Sequence, residues 1–434
     1  MAMKMPNILV VICHDLGRHL GCYGIPEART PNIDAFASNG HHFGNSFCVA
    51  PQCSPSRAAL WTGRYPHANG VIGLAHSGFA NELFETERHL SQILSDAGYS
   101  THLFGDQHVS HDPERCGFQH IHDSGTCGHI ADDFSDFLQG WQQNQGPLFA
   151  QIAFFEPHRP FPHDDVVPLD PQILTVPPYL PDIPAVRNDL ADFEASIASV
   201  DLAFGRVLKG VEDAGMAEDT IVIFTSDHGI PFPRSKMSLY DPGIEIALLI
   251  RVPGVIGPRR YSEMVPNIDI LPTILDLGGI DIPGSVQGRS FRKLITGENY
   301  EPHREIFAEK TYHTYYDPMR TIRTEKWKLI ANFEFAPRQE TPPDYDSNAR
   351  GYVEVANATR NRNGDLYHPI FELYDLRSDP HELCNLADDP KHIPMRDELV
   401  KRLRLWMRDT GDPLLDGPMA QGAYRRRMQT FLDI

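Results

Sequence analysis

Ile8-Leu9-Val10-Val11-Ile12 runs directly into Cys13-His14-Asp15, and this junction of an apolar run with chemistry-bearing residues decides how the fold is read. A continuous apolar run of this length suits a strand buried on both faces, as strands are inside a parallel sheet. The pattern recurs. Thr101-His102-Leu103-Phe104 leads to Gly105-Asp106-Gln107-His108, Leu148 to Phe155 leads to Glu156-Pro157-His158, and Ile221-Val222-Ile223-Phe224 leads to Thr225-Ser226-Asp227-His228-Gly229. Ligands of parallel sheets bind beyond the carboxyl ends of the strands. Residues far apart in the chain are therefore expected to meet at one edge.

Helices fit between these runs. Leu190, Phe193, Ile197, Val200, Phe204, Val207 and Val211 alternate three and four apart, the apolar stripe of a helix of about eight turns. It stops near Gly215, before the Ile221 run. The proline-rich stretch from Pro157 to Pro184 reads as a long loop over the sheet edge. From Glu301 onward the pattern changes to strand-like segments (Arg304 to Ala308, Met319 to Arg323, Trp327 to Asn332, Phe371 to Tyr374) and an amphipathic helix from about Met395 to Met407. The expected fold class is α/β: a large, mostly parallel sheet flanked by helices over residues 1–300, with a smaller antiparallel sheet plus helix over 301–434. The run Arg425-Arg426-Arg427 reads as solvated surface.

Composition narrows the partners. Among 434 residues, 39 Lys and Arg against 58 Asp and Glu give a net charge of −19, which argues against nucleic acid or an anionic membrane. An anionic small substrate must then be drawn by local cations. Seven scattered cysteines form no disulfide framework and read as reduced thiols. No stretch approaches the ~20 apolar residues of a membrane span, and the apolar run near Met1 is too short for a signal-peptide core. The expected compartment is the cytoplasm; a homo-oligomer is compatible with the sequence. Five histidines between His108 and His129, with Cys116 and Cys127 nearby, match no common zinc spacing.

The chemistry concentrates at Cys53-Ser54-Pro55-Ser56-Arg57, which continues to Gly63. Ser54 reads as a helix cap, Pro55 as a first helical residue and Gly63 as the terminator. Such a start turns unpaired N–H groups and the positive end of the helix dipole toward whatever Cys53 carries, an environment suited to an oxyanion. Asp15, Asp227 and His228, with His14, are candidate ligands of a divalent cation.

Cys53 to Arg57 resembles the Cys-x-Pro-x-Arg signature of type I sulfatases of the alkaline phosphatase superfamily. In that family the cysteine is oxidised by a formylglycine-generating enzyme to formylglycine, whose hydrate is the nucleophile. The resemblance extends over Asn7 to Asp15, Gly63-Arg64-Tyr65-Pro66-His67, Thr220 to Gly229, Phe371 to Leu376 and Asp379-Pro380-His381-Glu382. Gly229 to Pro233, Leu239 to Gly243 and a helix starting near Arg187 look most like the N-sulfoglucosamine sulfohydrolase (sulfamidase) branch.

The resemblance implies an alkaline-phosphatase-like fold and a sulfatase acting on a sulfate ester or sulfamate of a small sugar. It further implies that Cys53, as formylglycine, attacks sulfur and that Arg57 steadies it. His158 would protonate the leaving group, Lys236 neutralise a sulfate oxygen, and His108 take a proton from the remaining hydroxyl. One divalent metal would be held by His14, Asp15, Cys53, Asp227 and His228, with Asp106, Gln107 and Lys236 toward the substrate. Three positions depart from the pattern: His14 stands where Asp is usual, His228 where sulfamidases have Asn, and Asp106-Gln107 replaces the usual Lys. Among Mn, Ca, Zn and Mg, the extra imidazoles favour Mn or Zn. A phosphonate monoester or phosphodiester hydrolase on the same machinery is the nearest alternative, because both transfers need in-line geometry and equatorial charge stabilisation. A non-catalytic binder of a sulfated ligand is the other.

Overall fold

The computed structural model describes residues 5–76, 78–141, 146–163, 166–255, 257–335, 337, 358 and 367–433. The four apolar runs form β1 (Asn7–Cys13), β3 (Ser100–Gly105), β5 (Leu148–Phe154) and β6 (Thr220–Ser226). They are neighbours in the order β3-β5-β1-β6, all parallel. Cys13 lies opposite both Phe154 and Ser226, and Gly105 opposite Ala153, so the carboxyl ends are nearly flush and the polar residues after them meet.

Residues of β1 alternate between two cores. Leu9, Val11 and Cys13 pack with Phe193, Ile197, Val200 and Phe204 of the long helix Pro184–Asp213. Ile8, Val10 and Ile12 pack on the other face with Leu60, Trp61, Leu94 and Ile270. Full burial on both faces explains why the run carries no polar residue, each such side chain contributing roughly 1.5–3 kcal/mol.

Four further strands complete the sheet, β2 (His41–Phe47), β4 (His120–Ile121), β7 (Leu248–Arg251) and β8 (Arg259–Pro266), giving the order β4-β3-β5-β1-β6-β7-β2-β8. Here β7 runs antiparallel to both neighbours. The predicted loop from Pro157 to Pro184 holds, among its described residues, only a short 3-10 turn at Pro171–Ile173.

The second sheet is antiparallel, β12-β11-β10-β9, built from β9 (Glu305–Tyr312), β10 (Tyr316–Thr324), β11 (Trp327–Asn332) and β12 (Phe371–Asp375). One face receives Leu399, Leu403, Trp406 and Met407 of the helix Ile393–Asp409, together with Ala59 of the signature helix Cys53–Thr62 and Tyr65 just beyond it. Buried ions reinforce this seam. Arg320 Nε lies 2.6 Å from Asp412 Oδ2 and 3.3 Å from Glu309 Oε2, and Glu309 in turn accepts from the His67 backbone N–H at 2.6 Å and faces His67 Nδ1 at 2.5 Å. The arginine run lies exposed on the helix Gly422–Leu432. Among the described residues, no helix is long and apolar enough to cross a membrane. Among the described residues, no disulfide joins any of the seven cysteines.

Candidate active site

The signature helix spans Cys53–Thr62, every residue buried, and ends on Gly63 in the left-handed conformation (φ 66°). Its start differs from the sequence expectation. Gln52 occupies the N-cap with no side-chain cap bond, and Ser54 Oγ instead accepts from the Ala75 N–H at 3.1 Å. Cys53 is therefore the first helical residue, placed over the free N–H groups of the first turn.

Opposite it stand the ends of β1 and β6. Asp15 has φ 50°, a conformation that costs a non-glycine residue on the order of 1 kcal/mol or more, and its N–H donates to Asp227 Oδ1 at 3.0 Å. Arg57 Nε donates to Asp227 Oδ2 at 3.0 Å, while the two terminal guanidinium nitrogens are buried without a hydrogen bond. Ser56 Oγ donates to the Asp227 carbonyl. Gly229 is required behind this loop, because a Cβ there would stand 1.9 Å from the Pro242 carbonyl oxygen.

The imidazoles carry their protons away from the centre. His228 Nδ1 lies 3.0 Å from the Gly229 carbonyl, which can only accept, so a neutral ring turns the Nε2 lone pair toward Asp15 Oδ1 at 3.2 Å and Cys53 Sγ at 3.2 Å. His14 Nδ1 comes within 3.3 Å of Asp227 Oδ2, but neither ring nitrogen makes a hydrogen bond. Burial, then the positive charge of Arg57, holds the His14 pKa well below the usual histidine value, so the ring is neutral. His14, Asp15, Cys53 and Asp227 each offer one donor atom, all within 4.8 Å of one another. Lone pairs and carboxylates converging in a buried space are what a divalent cation requires, and the residues fit one.

Lys236, buried, donates to Asp15 Oδ2 at 2.8 Å and lies 3.2 Å from His158 Nε2. His158 Nδ1 is 2.7 Å from the Arg159 carbonyl, which fixes its Nε2 toward the centre. His108, also left-handed at φ 55°, belongs to a second close group with His14 and Cys53. Its pKa is depressed by burial, then by Arg57 and His76. Burial pushes the Cys53 thiol well above its ordinary value, so an unmodified cysteine stays protonated here and is a poor nucleophile.

Two candidates stand apart. Asp106 is exposed and accepts from the His108 N–H at 3.2 Å, at the rim instead of among the buried groups. Gln107 is buried, with Oε1 taken by the Val109 and Ser110 N–H groups and Nε2 by the Ser110 carbonyl. In this structure its amide braces its own turn. Sequence reading also missed His76, whose Nδ1 lies 2.8 Å from His108 Nε2, and Phe155, 38% exposed, whose ring centroid lies 5.7 Å from that of His14 and 4.8 Å from that of His158. His76 sits in a loop without a motif. Phe155 was hidden as the last residue of an apolar run, where it leaves β5 for the rim.

Residues 6–280 match the family described as Sulfatase. The chain belongs to the sulfatase family. In this sulfatase, residues 231–350 also match the C-terminal part described for N-sulphoglucosamine sulphohydrolase. It is 31% identical to the N-sulphoglucosamine sulphohydrolase of Homo sapiens, over 95% of this chain and 92% of that protein. A structure solved in complex with its substrate D-glucosamine-2-N,6-O-disulfate superposes with a TM-score of 0.72 at 20% identity, covering 94% of this chain and 99% of that one. The phosphonate monoester hydrolase of Silicibacter pomeroyi gives a TM-score of 0.74 at 20% identity, covering 96% and 100%. Both structural likenesses speak for the sulfatase fold, an α/β core of the alkaline-phosphatase type.

Proposed function

We propose that this sulfuric ester or sulfamate hydrolase acts on a small sulfated sugar, N-sulfated glucosamine first, with Cys53 carried as formylglycine and one divalent cation held at His14, Asp15, Asp227, His228 and position 53. The observation that carries this is the convergence on a buried Cys53 of two carboxylates, lone-pair imidazoles and the cations Arg57 and Lys236. The sulfamidase relative over nearly the whole chain supports the sulfamate. Maturation calls for a formylglycine-generating enzyme as partner. Seven scattered cysteines without a disulfide framework among the described residues support a reducing compartment, the cytoplasm.

When bound, such a cation polarises the sulfate oxygens and lowers the pKa of a hydroxyl at position 53. The chain's own groups do the rest. The free guanidinium nitrogens of Arg57 and the ammonium of Lys236 stabilise charge on the transferred group, in a site where they need not reorganise. His158 keeps Nδ1–H on the Arg159 carbonyl, so its Nε2 exchanges the proton with the leaving nitrogen or oxygen. His108, bonded through Nε2 to His76, presents Nδ1 to the hydroxyl that must lose a proton for sulfate to leave. Phosphonate monoester hydrolysis fits less well, because that likeness rests on fold alone.

The test is a panel of N-sulfoglucosamine, an aryl sulfate, a phosphonate monoester and a phosphodiester, assayed after metal stripping and readdition. Fastest turnover of the sulfamate is expected, and preference for the phosphonate would overturn the reading. Imidazole at His14 and His228 shifts preference toward Mn²⁺ or Zn²⁺, so either ion should restore more activity than Ca²⁺. Equal or better rescue by Ca²⁺ would remove His14 from the ligand set. His76→Ala should lower kcat roughly 10- to 100-fold with little change in KM, the usual penalty for losing a group that orients another. An unchanged kcat would mean that His108 is held by its backbone alone.

A further inference from the structure

Beyond the catalytic centre, the edge of the large sheet carries a separate group of imidazoles. β3 and β4 pair in parallel with His102 opposite His120, and the two rings stack with centroids 4.4 Å apart. His122 lies two residues further along, on the same face. Its Nε2 stands 3.1 Å from His102 Nδ1. Phe104 stacks on His122 at 3.8 Å, and Phe137 and Trp141 hold the His102 ring at 4.6 and 5.7 Å. The His102 and His122 rings are fixed by packing.

The outward nitrogens also face oxygen atoms. His102 Nε2 lies 2.9 Å from Ser100 Oγ, and His122 Nδ1 lies 3.6 Å from Asp133 Oδ2. An oxygen on the far nitrogen is how metal-bound imidazoles are oriented and their tautomers fixed. With those protons outward, two lone pairs face each other at 3.1 Å, close to the span of two nitrogens each about 2.0–2.1 Å from one ion. His120, exposed and stacked on His102, would have to turn its ring to serve as a third ligand. Cys116 takes no part, its thiol donating to Gln107.

We propose that His102 and His122, joined by His120, form a second metal site, for a borderline divalent transition ion of the Zn²⁺, Ni²⁺ or Cu²⁺ class. Imidazole donors select this class over Mg²⁺ and Ca²⁺. Such an ion staples the two-residue strand β4 to β3, the strand that runs on into the Asp106–His108 turn. In the rival arrangement the Ser100 hydroxyl donates to His102 Nε2, and His102 Nδ1–H donates to His122 Nε2. That relay needs no ion.

Equilibrium dialysis of the metal-stripped full chain against Zn²⁺, with bound zinc counted by atomic emission, separates the two. The expected result is two equivalents for the wild type and one for His122→Ala. His120→Ala should weaken the second equivalent at least about ten-fold while leaving metal-restored turnover unchanged. Asp15→Asn should lose the other equivalent and keep this one. A single equivalent in the wild type, or a second equivalent indifferent to both His120→Ala and His122→Ala, overturns the proposal. Should His122→Ala fail to fold, the exposed His120 variant decides.

Discussion

Replacing Cys53 by alanine is expected to lower kcat/KM by at least about 10⁴-fold, on the scale seen when an enzyme loses its nucleophile. Folding should be nearly unaffected. The side chain is small, and alanine shortens it by one sulfur in a site already rich in polar groups, so the thermal midpoint should stay within a few degrees of the wild type. Peptide mass spectrometry of the active wild type should find the thiol of Cys53 replaced by an aldehyde. Burial raises the thiol pKa of Cys53, which favours the thiol over the more nucleophilic thiolate. Active protein bearing only unmodified cysteine would refute the assignment.

The second large effect concerns stability. Arg320 is fully buried between Asp412 and Glu309, with further bonds to the Lys310 and Met319 carbonyls. Removing one partner of a buried ion group leaves the others charged and desolvated, which costs about 3–5 kcal/mol. Arg320→Ala should therefore shift the guanidinium unfolding midpoint strongly downward. A loss below about 1 kcal/mol, the range of surface pairs, would mean that water reaches the pair.

The centre of the sheet was legible because β1, β3, β5 and β6 are buried on both faces and so spell continuous apolar runs. β2, β7 and β8 escaped notice for the opposite reason. His41-His42 opens β2, β7 has four residues, and Arg259-Arg260 opens β8; each takes its place from its neighbours, not from its own pattern. The site divides in the same way. Cys53, Arg57, Asp15 and Asp227 follow recognisable spacings, whereas His76 meets His108 only through tertiary folding. Ser54 was misjudged because a distant partner, the Ala75 N–H, outcompetes the local capping bond.

The seam between the sheets bears on how this chain can be divided. The Glu309 N–H donates to the Val49 carbonyl at 2.8 Å, Gln52 Nε2 to the Tyr312 carbonyl at 2.9 Å, and the Tyr312 N–H to the Ile72 carbonyl at 3.1 Å. These bonds reach the backbone on both flanks of Cys53, beside the His67–Glu309 pair. A chain cut near residue 300 would leave the Cys53 helix without its outer wall. The β9 strand is thus not a module to be exchanged between relatives at will: a transplanted C-terminal part must bring partners for Val49, Gln52 and His67, and recombination across this boundary is constrained by the geometry around Cys53.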